Sequence, residues 1–175
     1  MQLKHFTVVT SVLAALLVHA QVNVTDIISD ITDIAVLAGE VVGLVQGLDI
    51  TTILTSAPKI IDNIGQIVEI ITTDVEEISA GNSTFKATDQ TDICDGLQQF
   101  LEAVGQIADT VTDNIDAISD IPFSGAVADV ISSVKDGVDE FGGKILEMVP
   151  DCGSDTENSL ESVNKSFSNC IDRLD

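Results

Sequence analysis

The chain has 175 residues, of which 29 are Asp or Glu and 7 are Lys or Arg, so its formal net charge is −22. Apolar residues make up 45% of the chain, which is enough for a core and excludes an acidic, disordered polypeptide. The scarcity of basic residues and the lack of Trp and Tyr exclude a surface that binds nucleic acid through phosphate contacts and base stacking.

The N-terminal sequence MQLKHFTVVTSVLAALLVHA predicts a secretory signal peptide over residues 1–20. A short basic start at Lys4 and His5 precedes an apolar run over 6–18, and Val18-His19-Ala20 has small residues at the positions that a signal peptidase reads. The run is short for a membrane span, which needs about 20 apolar residues. We therefore expect an exported protein of residues 21–175 without a transmembrane anchor.

Removal of this peptide changes the chemistry that is open to the chain. Lys4 and both histidines, His5 and His19, are lost, which leaves 6 basic and 29 acidic residues and a charge of −23. A chain without His cannot form a Ser-His-Asp or Cys-His nucleophilic site or a zinc site with imidazole ligands. The sequence does not exclude a hydrolase with paired carboxylates, although acidic helices place carboxylates together by chance. We therefore expect no enzymatic activity, cofactor or metal.

Three sequons fit export and predict N-glycosylation at Asn23, Asn82 and Asn164. Asn82 lies in a predicted loop and is the most favourable of the three. Asn164 lies within a predicted helix and is the least favourable.

Apolar residues recur at spacings of three and four along the mature chain, which predicts five amphipathic helices. The first spans about 25–46, with Thr25 as its N-cap and Gly47 as its end. The second begins at Ser56 as N-cap, with Pro58 in its first turn, and ends before Gly81.

The third helix is predicted from about residue 88 to 118, the fourth from 124 to 149, and the fifth from about 154 to 173. Pro150 ends the fourth helix, since its ring cannot continue a helix. Short connections favour antiparallel neighbours, so we expect an all-α, up-and-down bundle of about five helices in one domain.

The three cysteines of the mature chain favour one disulfide between Cys94 and Cys152. Cys94 starts the third helix, and Cys152 follows the fourth helix, which returns to the same end of the bundle. A continuous fifth helix would carry Cys170 about 25 Å away, too far for a bond to Cys152. Cys170 is then unpaired, and a Cys152–Cys170 hairpin is the alternative that requires a broken fifth helix.

Two further patterns have a structural and a functional interpretation. Gly39, Gly43 and Gly47 recur every four residues, which favours close packing against another helix and alternatively leaves room for an acyl chain. The acidic residues around 89–95 do not match the spacing of an EF-hand, and we interpret them as N-terminal acids that complement the helix dipole.

The aliphatic faces of the first two helices are wider than a bundle requires. The surplus can form a thicker core, a dimer interface, a ligand cavity or a surface for oil-like material. Candidate residues for apolar contacts lie on the core-directed faces: Ile34, Leu37, Val41, Leu44, Ile64, Ile67, Ile71, Phe100, Val104, Ile107, Phe123, Phe141 and Ile145.

The order and composition of these elements carry a family resemblance. Residues 89–115, DQTDICDGLQQFLEAVGQIADTVTDNI, are followed by IPFSGAVADVISSVKDGVDEFGGKIL over 121–146, after an early VTDIISDITDIAVLAGEV. Over residues 24–149 the chain resembles the fungal hydrophobic surface-binding protein A (HsbA) family, which includes cell-wall galactomannoproteins. The C-terminal tail, residues 151–175, has no counterpart in this resemblance.

The resemblance implies a non-enzymatic extracellular or cell-wall protein that binds fatty acids between its helices or adsorbs to hydrophobic surfaces. It also implies a secreted esterase as a partner. The alternative is a structural cell-wall or effector protein that acts through a protein partner without lipid.

Overall fold

The computed structural model describes residues 23–48, 52–80, 85–119 and 124–174, and these ranges contain helices and no strand. The all-α prediction is confirmed. The predicted signal peptide, Asn82 and Phe123 lie outside the described residues. The helices are α1 (Val24–Gln46), α2 (Ile53–Ala80), α3 (Ala87–Asp113), α4 (Ile115–Ser119), α5 (Ser124–Met148) and α6 (Gly153–Leu174), with a 3-10 turn over Pro150–Cys152 between α5 and α6.

Both predicted N-caps of the first two helices are wrong. Asn23, not Thr25, caps α1, because its Oδ1 atom accepts a hydrogen bond from the Thr25 backbone N–H at 3.1 Å. The second helix starts before Ser56, since the carbonyl of Thr52 already accepts from the Ser56 N–H at 2.9 Å. Pro58 therefore lies inside α2 rather than in its first turn.

The third predicted helix is broken at Asn114, so the chain forms α3 and the short α4 in its place. The Asn114 backbone N–H bonds to the carbonyls of Thr110 and Val111, and its side-chain amide donates to the Thr110 carbonyl at 2.8 Å. Such local bonds compete with helix continuation. Val111 and Ile115 are both buried, so the apolar spacing runs through the break and conceals it.

The five long helices form a closed ring in the order α1, α2, α5, α6, α3 and back to α1. Successive helices alternate in direction along the bundle axis, as an up-and-down chain does. Their lateral order does not follow the chain, because α3 packs against α1 and α6 and makes only minor contact with α5. Helices that follow one another in the chain are antiparallel, as expected, whereas helices that are adjacent in the ring but not consecutive in the chain can be parallel.

The contact between α3 and α6 shows a parallel pair. Gln98 donates to the Ser159 hydroxyl at 3.3 Å near the start of both helices, and Arg173 donates to the Thr112 carbonyl at 3.2 Å near their ends. The helix termini therefore meet at two opposite ends of the bundle, and the starts of α1, α3 and α6 share one of them.

The interior of the ring is filled by Ile and Val, with Phe100 and Phe141 at its centre. The two rings lie 5.0 Å apart between centroids at an angle of 60°, a favourable tilted arrangement. The core-directed stripes of all five long helices meet here, as their spacing predicts.

A disulfide joins Cys94 to Cys152, with 5.1 Å between the two Cα atoms. This is the pairing favoured by the helix directions. The tail forms one unbroken helix, α6, so the Cys152–Cys170 hairpin does not occur. Cys170 is a free and buried thiol, and the disulfide ties the start of α3 to the turn between α5 and α6.

Candidate functional site

The interior of the helix ring brings together most of the residues predicted to contact an apolar ligand. Leu37 and Leu44 are half-buried at its edge, and Phe123 is not among the described residues. Ten candidates are fully buried in one continuous cluster: Ile34, Val41, Ile64, Ile67, Ile71, Phe100, Val104, Ile107, Phe141 and Ile145.

Within the described ranges, the buried polar side chains are those of Asp74 and Thr156. The Thr156 hydroxyl donates to the Cys152 carbonyl at 3.0 Å, so its polarity is satisfied locally. The free thiol of Cys170 adds no reactive group, because burial raises its pKa. The interior therefore suits hydrocarbon and offers little to fix the orientation of a polar ligand.

Asp74 is the functional candidate that sequence reasoning missed. The Asp74 side chain is only 4% exposed. Its burial could have been predicted, because Asp74 lies at the core spacing of α2 between the buried Ile71 and Ile78. The pKa of Asp74 is raised from 3.8 to about 8, mainly by burial and in smaller part by the neighbouring carboxyl groups of Asp30 and Glu77. The Oδ2 atom of Asp74 has no hydrogen-bond partner.

Shallow grooves run along the outside of the ring between neighbouring helices. A groove of about 420 Å³ between α1 and α2 is lined by Gly43, Leu44 and Lys59, together with acidic and amide side chains. Two more grooves, of about 450 and 240 Å³, lie between α1 and α3. The buried phenylalanines line none of these grooves, so the grooves lie outside the closed core.

A further groove of about 440 Å³ lies between α5 and α6. It contains Lys135 and Lys165, of which Lys165 already pairs with Glu161 at 2.7 Å. Asp139 and Glu157 also line it, so its acids outnumber its lysines. This groove therefore lacks the net positive charge that would attract an anionic head group.

The predicted close packing at Gly39 and Gly43 is wrong. A Cβ atom added at either glycine would meet no atom within 4 Å, and both glycines line grooves on the surface of α1. The close approaches occur at Gly96, where a Cβ would lie 2.8 Å from Ile28 Cδ1, and at Gly142. No spacing pattern in the sequence distinguishes these two sites.

The acidic residues at the start of α3 carry no sign of a metal site. Asp89 lies in the first turn, where its charge complements the helix dipole. The described residues contain no group of three or more His, Cys, Asp or Glu side chains that could hold a metal ion.

Two predicted sequons use their side chains in the fold. Asn23 caps α1 through its Oδ1 atom and stays exposed. The Asn164 amide nitrogen, the atom that would carry a glycan, donates to Asp139 Oδ1 at 2.7 Å in the contact between α5 and α6. The structure thus gives Asn164 a packing role, and glycosylation at either site stays a prediction.

No family model matches the chain, and no curated protein is detectably similar to it in sequence. One similar solved structure is AFMP4P in complex with palmitic acid, with a TM-score of 0.67 and 15% identity over 87% of this chain and all of that one. Another is ligand binding domain 2 of the Penicillium marneffei MP1 protein complexed with multiple arachidonic acids, with a TM-score of 0.61 and 12% identity.

This chain shares the fold of those two domains. The second comparison covers 89% of this chain and 97% of the MP1 domain, so both similarities extend over whole domains rather than over a few helices. Identities of this size establish the fold alone, and membership in the HsbA family is not confirmed. None of the described helices is long and apolar enough to cross a membrane.

Proposed function

We propose that this protein is a secreted, non-enzymatic carrier of fatty-acid-type lipids, which it holds between the helices of its ring. The observation that carries the proposal is the shared fold with two domains whose solved structures contain palmitic acid and arachidonic acids. The similarity extends over nearly the whole of each chain, so the helices that would surround a ligand have counterparts in both.

The chemistry of the interior supports an acyl chain as ligand. Side chains such as Ile64, Ile67 and Val104 are fully buried and present only hydrocarbon. Each methylene group moved from water into such surroundings contributes about 0.8 kcal/mol before the costs of binding. Because few polar groups are available inside, we expect weak discrimination between acyl chains of different length.

The same structure favours an internal ligand over adsorption to a hydrophobic surface. Among the described residues, the large apolar side chain that is exposed is that of Val36, with an exposed fraction of 57%. A single valine on an acidic exterior does not form an adsorption patch. The core side chains are closed over one another, so the helices must part for a ligand to enter.

We also propose that residues 1–20 direct export and are removed, and that residues 21–175 act as one domain. The packing of α6 against α3 and α5, which completes the ring, supports the inclusion of the tail in this domain. The esterase partner was implied by the HsbA resemblance alone, and neither solved neighbour supports it. A lipid-free role through a protein partner becomes the better explanation if the following experiment finds no ligand.

Native mass spectrometry of the exported protein tests the proposal, because a bound fatty acid adds its mass to the intact chain. Delipidated protein is then titrated with palmitic acid by calorimetry. The substitution Val104→Phe adds volume at a fully buried position, and we expect it to lower the bound stoichiometry or affinity at least several-fold. Val36→Phe makes the same change at an exposed position and should bind as the wild type does.

The proposal fails if the folded wild-type protein carries no lipid and takes up none. If Val36→Phe alters binding while a folded Val104→Phe leaves it unchanged, the ligand binds on the surface instead. Thermal unfolding of both variants shows whether each comparison is made between folded proteins.

A further inference from the structure

Asp74 places a carboxyl group on the core-directed face of α2, among apolar side chains. Helical spacing puts it on the same face as Ile71 and Ile78, and all three side chains are buried. Thr156, the other buried polar side chain of the described residues, is satisfied locally, because its hydroxyl donates to the Cys152 carbonyl. Asp74 is therefore the buried polar side chain that can still gain a partner.

The Oδ2 atom of Asp74 is enclosed and has no hydrogen-bond partner among the described residues. Buried polar atoms in folded proteins are nearly always paired, because an enclosed atom without a partner has given up its hydrogen bonds to water and gained none in return. A ligand that brings a hydrogen-bond donor to this oxygen therefore gains a bond for which water does not compete.

Basic side chains of the described residues do not pair with Asp74. The α1 helix contains no Lys or Arg, and Lys59 on α2 lies about 22 Å from Asp74 along the helix axis. On α5, which also packs against α2, Lys144 pairs with Glu147 at 3.5 Å and Lys135 lines the groove towards α6. A negatively charged head group beside Asp74 would thus meet no positive charge.

The groups that influence Asp74 are themselves acidic. After burial, the carboxyl groups of Asp30 on α1 and Glu77 on α2 contribute to its raised pKa. Further negative charge is unfavourable in such surroundings, so the head group that fits is uncharged. A hydroxyl group both donates and accepts hydrogen bonds, so it can pair with Asp74 whether or not this carboxyl carries a proton.

We propose that Asp74 anchors the head group of the bound lipid and selects lipids with an uncharged head group that bears a hydroxyl, such as a fatty alcohol or a protonated fatty acid. This inference rests on the proposed function and adds the class of head group. The buried face of α2 continues from Asp74 through Ile67 to Ile60, about 21 Å along the helix axis. An acyl chain anchored at Asp74 can follow apolar side chains over that length.

Three lipids with the same alkyl chain test the anchor. Decanol carries the hydroxyl, decyl methyl ether has that hydroxyl capped, and decanoate is negatively charged at pH 7. Delipidated protein is titrated into a dilute solution of each lipid at pH 7, and calorimetry gives the affinity. We expect decanol to bind at least about tenfold more tightly than either of the others, because its hydroxyl alone supplies an uncharged donor. The ether is more apolar than decanol and would bind more tightly without an anchor.

Substitutions at Asp74 show whether this residue carries the preference. Asp74→Leu removes both carboxyl oxygens at similar volume and should abolish the preference for decanol. Asp74→Asn retains a side-chain oxygen and should retain the preference. The matched control is Glu76→Gln, at an exposed position two residues away, which should bind all three lipids as the wild type does. Should Asp74→Leu not fold, Asp74→Ala removes the same oxygens with a smaller side chain.

The outcomes separate failure of the anchor from failure of the proposed function. Equal affinities of the wild type for decanol and its ether would overturn the anchor and leave lipid binding intact, as would tighter binding of decanoate than of decanol. A preference for decanol that persists in a folded Asp74→Leu would show that another group binds the hydroxyl, which also overturns it. If the folded wild type binds none of these lipids and no palmitic acid, the proposed function fails and the anchor fails with it.

Discussion

Replacing Asp74 by Asn should make the protein more stable, and the gain should grow as the pH rises. The Asn side chain has nearly the same size and, like the protonated carboxyl, carries no charge. Because the pKa of Asp74 is raised from 3.8 to about 8 in the folded protein, folding at intermediate pH requires uptake of a proton. The substitution removes this requirement.

The sign follows from the direction of the shift. A carboxyl whose pKa is raised on folding contributes its full stability below about pH 3.8 and loses it as the pH rises through about 8. Each pH unit between these two values lowers the free energy of unfolding by about 1.4 kcal/mol, and the slope flattens near pH 8. Between pH 6 and pH 8 the wild type should therefore lose about 2 kcal/mol relative to Asp74→Asn.

Urea unfolding followed by far-ultraviolet circular dichroism measures this difference, since the chain has no Trp or Tyr for fluorescence. With an m-value of about 2 kcal/mol per M, the gap between the two midpoints should widen by about 1 M urea from pH 6 to pH 8. The exposed Glu76→Gln control should show no such widening. A constant gap between Asp74→Asn and the wild type would show that Asp74 is ionised in the folded protein and refute the reasoning.

One treatment and three substitutions test the packing. Reduction of the disulfide, whose cysteines are 58 residues apart, should lower the free energy of unfolding by about 4 kcal/mol, and an unchanged urea midpoint would contradict this. Phe100→Ala should cost about 3 to 5 kcal/mol because it empties the centre of the core, and a cost below about 1 kcal/mol would show that the core collapses around the site. Gly39→Ala should stabilise the fold by up to about 1 kcal/mol through helix propensity and so raise the melting temperature, because the added Cβ meets nothing. Gly96→Ala should raise it less, because the Ile28 and Ile31 side chains must move to admit the Cβ, and equal effects of the two substitutions would refute the assigned contacts.

Most of the helical segments and their buried faces could be predicted from the sequence. The spacing of Ile and Val marks one face of each helix regardless of what packs against it, because burial of that face drives helix formation. The disulfide could also be predicted, since helix length and direction alone place Cys94 near Cys152 and far from Cys170. The absence of His from residues 21–175 excludes whole classes of catalytic site without any structure.

Only the tertiary structure decided which helices are neighbours and what their contacts contain. An apolar stripe encodes that a face is buried but not against which partner, so the ring order of α1, α2, α5, α6 and α3 could not be predicted. Gly96 and Gly39 have the same chemistry, and only their surroundings make one crowded and the other open. The raised pKa of Asp74 likewise depends on its burial and, to a smaller extent, on Asp30 of another helix, because desolvation and charge are set by neighbours in space.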